Sequence, residues 1–444
     1  MVNYTRIELF YFIIMENQFQ TYDEFLKLFN ERKEVNYFNV TQIPFDKLDQ
    51  WHFDDELMWL KHNSDKFFKI EGLRVKTNYG YWPEWDQPII NQHEIGILGI
   101  ITKIFKNRRY YLMQAKMEPG CINTLQLSPT VQATKSNFSQ VHKGKLPNYL
   151  EYFIDRSKSK IIIDQLQSEQ GGRFLRKRNR NMIVEVKEDI PVFNDFFWLT
   201  LDEIKKLLRI DNFVNMDTRS VVSTIPLTLL PGEDEREYFP TNKILSWYID
   251  QKVKYELELE KIPFHYMKDW KITDDTIEHD DDFFSIIAVK VEAINREVKS
   301  WTQPMIKDLN IGLMGFIAKE INGIKHFLVQ TKVMPGNIDI IDLSPSISCS
   351  NYERLIDTKE EPLFIEYFMK SDKYKVHLDV LQSEEGGRFY HFQNRNMIVE
   401  IPENEELDIP DNYMWITYNQ MAQFIPRGMF NIESRSLIAT VNFI

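Results

Sequence analysis

The strongest hydrophobic pattern begins at Gly96. GILGIITKIF (96–105) and RYYLMQAKM (109–117) are rich in β-branched and aromatic residues, and the polar residues Lys106 to Arg108 part them, which predicts a β-hairpin. SKIIIDQLQ, running toward the Gly171-Gly172 pair, and NMIVEV from Asn181 predict two further strands. Between hairpin and strands, TLQLSPTVQATKSN (Thr124 to Asn137) alternates: Gln126, Ser128, Thr130, Gln132, Thr134 and Ser136 share one side, Leu127, Val131 and Ala133 the other. Caps mark the helices. Thr200 with Glu203 before LDEIKKLLRI, Thr21 with Glu24, and Thr417 with Gln420 have the spacing of a capping box, in which each side chain takes the other residue's backbone N–H.

The pattern occurs twice. LQSEQGGRF at Leu166 returns as LQSEEGGRF at Leu381, 215 residues on and changed at one position. In the same order WDQPII at Trp85 returns as WTQPMI at Trp301, GILG at Gly96 as GLMG at Gly312, and QAKMEPG at Gln114 as QTKVMPG at Gln330. The reading is an α+β fold of two tandem modules, residues 1–230 and 231–444, each a mixed sheet flanked by helices. They join near PLTLLPGEDEREYFP (Pro226 to Pro240), where three prolines and an acidic run suit a linker.

Composition narrows the function. A net charge of −12 argues against a surface that neutralises a nucleic-acid backbone, and 43% hydrophobic with 14% aromatic residues argues for a packed core. Two cysteines, Cys121 and Cys349, make no disulfide framework and fit a reducing, cytoplasmic setting. The apolar run Glu8 to Met15 is too short to span a bilayer.

The alternating face offers a ladder of neutral donors and acceptors, Gln126, Ser128, Thr130, Gln132 and Thr134, suited to a hydroxyl-rich ligand; an exposed edge strand, which Pro129 would allow, is the other reading. In the second half IIDLSPSISCSN keeps the serines and loses the glutamines, so the halves are chemically unequal. A tight reversal at Gly171-Gly172 brings Gln167, Glu169 and Arg173 together. RFLRKRNRN follows, five basic residues in nine, and its Arg173, Arg176, Arg178 and Arg180 could grip a diphosphate with bidentate forks. For acid–base work the first half offers Glu118, Glu169, Lys116 and His142; Met334 stands where Glu118 would recur, and His142 has no counterpart. Metal-ligand spacings, a Walker loop and a Rossmann fingerprint are missing, so neither metal nor cofactor is expected.

MEPGCINTLQLSPTVQATKSNF, VHKG, LQSEQGGRF and RKRNRNMIVE, with GLRVKT at Gly72 and QPIIN at Gln87, resemble the nucleoside-diphosphate-hexose 2,3-dehydratases of deoxysugar biosynthesis. The resemblance covers nearly the whole chain. It implies two Nudix-like modules, a homodimer, a dTDP-linked 4-keto-6-deoxyhexose as substrate, a ketoreductase acting next on the product, and one working pocket beside one relic. In the implied chemistry a base removes the C3 proton, which the C4 ketone acidifies, and an acid helps the C2 hydroxyl leave. Glu118 or His142 fits the acid–base roles, Lys116 and Gln132 the donors to ketone or enolate, and the arginines the diphosphate. A nucleotide-sugar-binding protein without catalysis and a Nudix-type hydrolase are the competing readings.

Overall fold

The computed structural model describes residues 20–135, 146–226, 232, 234–281, 283–294, 298–308, 310–356 and 358–441. Each half builds a seven-stranded mixed sheet. In the first, Gly96–Phe105 and Arg108–Met117 form the hairpin, turned through Lys106 and Asn107 at φ 47° and 61°, the two left-handed positions of a two-residue turn. Arg178–Glu185 lies parallel to Gly96–Phe105 and carries Lys160–Ser168 antiparallel on its outer edge. Phe196–Thr200 pairs with Arg108–Met117, and Thr200 then caps the helix Leu201–Leu207 through the expected box with Glu203. Gly312–Ile321, Ile324–Val333, Lys375–Ser383, Gln393–Ile401 and Tyr413–Thr417 repeat the arrangement, down to the Thr417–Gln420 box. Among the described residues no helix is long and apolar enough to cross a membrane.

In its described part, residues 124–135, the segment read as one alternating strand is not one strand, and Ser136 and Asn137 lie outside the described residues. Pro129 divides it: Leu125–Ser128 pairs with Arg108–Met117, and Val131–Ala133 pairs with Gly96–Phe105. The missing N–H of proline ends the first ladder, so the two pieces join different neighbours.

Two smaller sheets join the halves by exchanging strands. Lys69–Thr77 and Glu84–Asn91 of the first half receive Leu257–Ile262 of the second, while Ser285–Ala293 and Ser300–Lys307 receive Phe38–Ile43 of the first. Gly72 suits the exchange, since a Cβ there would stand 2.4 Å from Ile262 O.

The repeated nonapeptides cross as well. Gly120 N–H donates to Gly386 O at 2.7 Å, and Gly336 N–H to Gly171 O at 2.6 Å. Gly171 has no positive φ; its need for glycine is room, because a Cβ would meet Asn337 Oδ1 at 2.3 Å. Two buried arginines fasten the same crossing: Arg219 donates to Gln382 Oε1 at 2.9 Å and to Ser383 O, and Arg435 donates to Ser168 O. Each guanidinium is removed from water and divides its bonds between a carbonyl of its own half, Val214 O or Phe430 O, and acceptors of the other.

Candidate active site

A cavity of about 260 Å³ opens in the first half, where the end of the hairpin meets the crossing peptide of the second. Lys116 and Glu118, at the end of Arg108–Met117, lie two residues apart and therefore point to the same side. Lys116 Nζ donates to Glu118 Oε1 at 2.9 Å and to Gln132 Oε1 at 2.5 Å. Gln132 passes the chain on, its Nε2 donating to Asp217 in the first turn of the helix Met216–Ser223. Glu169 and Asn179 line another part of the wall, with Asn179 Nδ2 donating to Glu169 Oε1 at 2.7 Å. Glu385, Gly387 and Arg388 come from the second half.

Burial sets the protonation. Asp217 is pushed up first by desolvation, then by the Glu169 and Glu118 charges. Glu169 rises for the same first reason, with Arg435 and Lys177 pulling it back. Glu385 also rises by burial, against the pull of Arg388. Lys177, whose ammonium donates to the Glu94 carbonyl, is lowered by burial. Carboxyls raised by burial beside one paired with an ammonium are suited to acid–base chemistry near neutral pH.

The structure gathers some of the sequence candidates and disperses others. Lys116, Glu118, Gln132, Thr134 and Glu169 line the cavity. Gln126, Ser128 and Thr130 are buried inside the fold: Gln126 Nε2 donates to Asn212 O and Ser383 Oγ, Ser128 Oγ accepts from Asn215 Nδ2, and Thr130 Oγ1 accepts from Ile101 N–H and donates to Leu112 O. Gln167 Nε2 donates to Ile425 O at the junction of the halves. Arg173 crosses to the second half, its guanidinium 4.0 Å from the Phe284 ring centroid and 3.8 Å from Asp308 Oδ2. Arg180 pairs with Asp164 on the sheet, Arg176 is exposed, and Arg178 is half-buried at the start of its strand. His142 lies outside the described residues.

The sequence reading did not single out Asp217, Lys177, Asn179, Glu385 or Arg388 as cavity residues. One signal was on view, the single change between the nonapeptides, Gln170 against Glu385.

The equivalent positions of the second half take other partners. Lys332 Nζ donates to Ser348 O at 2.5 Å, Met334 replaces Glu118, and Glu384 accepts from Gln170 Nε2 at 2.6 Å. Burial first, and then the Glu433 charge, pushes Glu384 up to about 7. A carboxyl raised in the folded state binds its proton more tightly there than in the unfolded chain. Its contribution is therefore complete below the ordinary value of 4.5 and is lost as pH rises through 7. Glu384→Gln removes that titration, and the Gln170 amide can turn its unpartnered Oε1 toward the new N–H. The expected result is little change in thermal stability near pH 4.5 and a gain on the order of 2–3 kcal/mol at pH 8. An equal change at both pH values would contradict it.

The fold and cavity define a class, an internally repeated α+β protein with a cavity walled by carboxyl, amide and ammonium groups. The family model for NDP-hexose 2,3-dehydratase matches residues 22–225 and, a second time, 241–441, and the chain belongs to that family. Relatives named dTDP-4-dehydro-6-deoxy-alpha-D-glucopyranose 2,3-dehydratase are 42% identical over 438 residues in Saccharopolyspora spinosa (93% of this chain, 89% of that one) and 39% identical over 421 in Amycolatopsis orientalis (93% and 88%). A third, from Streptomyces violaceoruber, is 40% identical over 425 residues (93% and 95%). A solved Ap4A hydrolase from C. elegans, 12% identical, aligns over 29% of this chain and 96% of its own with a TM-score of 0.19, too low to bear on the fold.

Proposed function

We propose that the first cavity removes water across C2 and C3 of a dTDP-linked 4-keto-6-deoxyhexose, giving a 3,4-diketo-2,6-dideoxy sugar. The observation that carries this reading is the Glu118–Lys116–Gln132 chain inside the cavity of a chain with this family membership. Glu118 is the base for the C3 proton. Lys116 has three N–H donors, two of them directed at Glu118 and Gln132, and the third would meet the C4 oxygen as negative charge gathers there. Lys66, Lys177 and Arg388, the cations on the wall besides Lys116, replace the arginine cluster as partners of the diphosphate, and Thr134 and Asn179 offer neutral contacts to sugar hydroxyls. No redox step is involved, because the ketone already supplies the acidity of C3.

In the same reading the two halves are Nudix-like modules of one ancestry, with the boundary near residue 230 and the second pocket a relic. The protein works in the cytoplasm as a homodimer and hands its unstable product to a ketoreductase.

The test is to incubate the protein with the 4-keto sugar nucleotide and a vicinal-diketone trap such as an aromatic 1,2-diamine. The expected product has lost one water and forms the diamine adduct. Saturable binding without water loss would make the protein a binder, and release of nucleoside monophosphate would make it a hydrolase.

A further inference from the structure

The nonapeptides differ only at Gln170 and Glu385, and their crossing gives that difference a consequence. Glu385 lines the cavity of the first half, whereas Gln170 donates its amide to Glu384 of the second. Glu385 Oε1 accepts from Gly387 N–H at 2.9 Å, and its Oε2 is buried without a hydrogen-bond partner. The turn that carries it rests on the proposed base: a Cβ on Gly386 would stand 2.9 Å from Glu118 Cβ and 3.3 Å from Glu118 Oε2.

Two carboxyls thus share one small cavity in different settings. Glu118 is ion-paired with Lys116 at 2.9 Å, which favours its charged, proton-accepting form. Glu385 has burial against it, with the Asp217 and Glu118 charges adding to the effect and Arg388 opposing it. Paired carboxyls whose environments are pushed apart in this way divide the roles of base and acid.

We propose that Glu385, delivered from the second repeat, is the general acid of the first cavity, protonating the C2 oxygen as the hydroxyl leaves. This deepens the dehydratase reading and rests on it. Glu118 takes the C3 proton, and the electron pair released passes through the C4 enolate to form C2=C3 as the C2–O bond breaks. The Glu385 proton goes to the departing oxygen, which leaves as water. The enol then gives its O3 proton to Glu385, and Glu118 returns its proton to C2, so the diketone forms and both residues are restored.

Glu385→Gln places in the second nonapeptide the residue the first already has, at constant shape. Dehydration is expected to fall at least about 10²-fold. Deuterium from D2O should still enter C3 of recovered substrate, because the base is intact. Dehydration within about threefold of the parent would overturn the assignment. So would loss of C3 exchange together with dehydration in a variant that binds dTDP and unfolds at the parent's temperature. Should Glu385→Gln fail to fold, Glu385→Asp keeps the acid at altered reach: dehydration slowed more than C3 exchange supports the role, and equal slowing overturns it. A parent protein that forms no diketone would instead remove the function itself, an outcome separate from a parent and a Glu385→Gln variant that dehydrate alike.

Discussion

Glu118→Gln is expected to lower kcat for dehydration by about 10²- to 10⁴-fold, the range over which positioned bases act, with C3 deuterium exchange falling alongside it. The substitution keeps the shape of a buried side chain, and a glutamine Oε1 can still accept from Lys116 Nζ, as Glu118 Oε1 does at 2.9 Å. What is lost is the basic oxygen. KM should move much less than kcat, since the missing interaction is one made in the transition state. Steady-state kinetics with the diketone trap, beside exchange of C3 by NMR or mass spectrometry, checks both numbers. Turnover within about tenfold of the parent would move the base to another group, with Asp217 next in the hydrogen-bonded chain through Gln132.

Gly120→Ala is expected to be strongly damaging for so small a substitution. A Cβ at Gly120 would lie 1.6 Å from Phe389 O and 2.7 Å from its carbonyl carbon, atoms of backbone that cannot swing aside. Backing away would stretch the Gly120 N–H to Gly386 O bond of 2.7 Å and the His391 N–H to Gly120 O bond of 2.9 Å, both of which fasten one half to the other. Overpacking without relief, added to lost buried hydrogen bonds, costs about 4 kcal/mol or more, in the tail of single-substitution effects. Thermal unfolding should drop by roughly 4 °C, since the interlocked halves of a 444-residue chain unfold together. The folded fraction should also be inactive, because the displaced peptide carries Glu385 and Arg388. Gly172→Ala is the matched control: the nearest atom, Met334 Sδ, is 4.0 Å from the new Cβ, so its unfolding temperature should stay near the parent's. An equal fall for both variants would contradict the interlock.

Much of the local structure was legible before the fold. The hairpin at Lys106, the strands around Ile163 and Ile183, and the three capping boxes follow from residues within a few positions of one another, and the structure has each of them. Lys116, Glu118 and Glu169 were legible as acid–base candidates and Gln132 as a rung of the polar ladder, and the cavity is lined by all four. The ladder was less legible. Gln126 and Gln132 have the same side chain in the same alternating register, yet Gln126 is locked to Asn212 and Ser383 while Gln132 reaches the cavity. Pro129 changes the pairing partner between them, and alternation has no term for that.

By itself the sequence determined that the chain is a repeat of two similar halves, where its hairpin and helix starts fall, and that the halves differ chemically, since Glu118 stands against Met334. Such features depend on side-chain periodicity and on caps a few residues long. Only the tertiary structure decided which half each element serves. Phe38–Ile43 belongs to the first half by sequence yet pairs with Ser285–Ala293, because backbone hydrogen bonds at a sheet edge accept a strand from either half. The same holds for the nonapeptides: Arg173 reads as a neighbour of Glu169 along the chain, but the crossing carries it to Phe284 and brings Arg388 and Glu385 to Glu118 in its stead. Packing two similar surfaces against each other fixes that exchange, and packing depends on contacts between distant residues, such as Gly120 with Gly386 and Gly171 with Gly336, that no local pattern encodes.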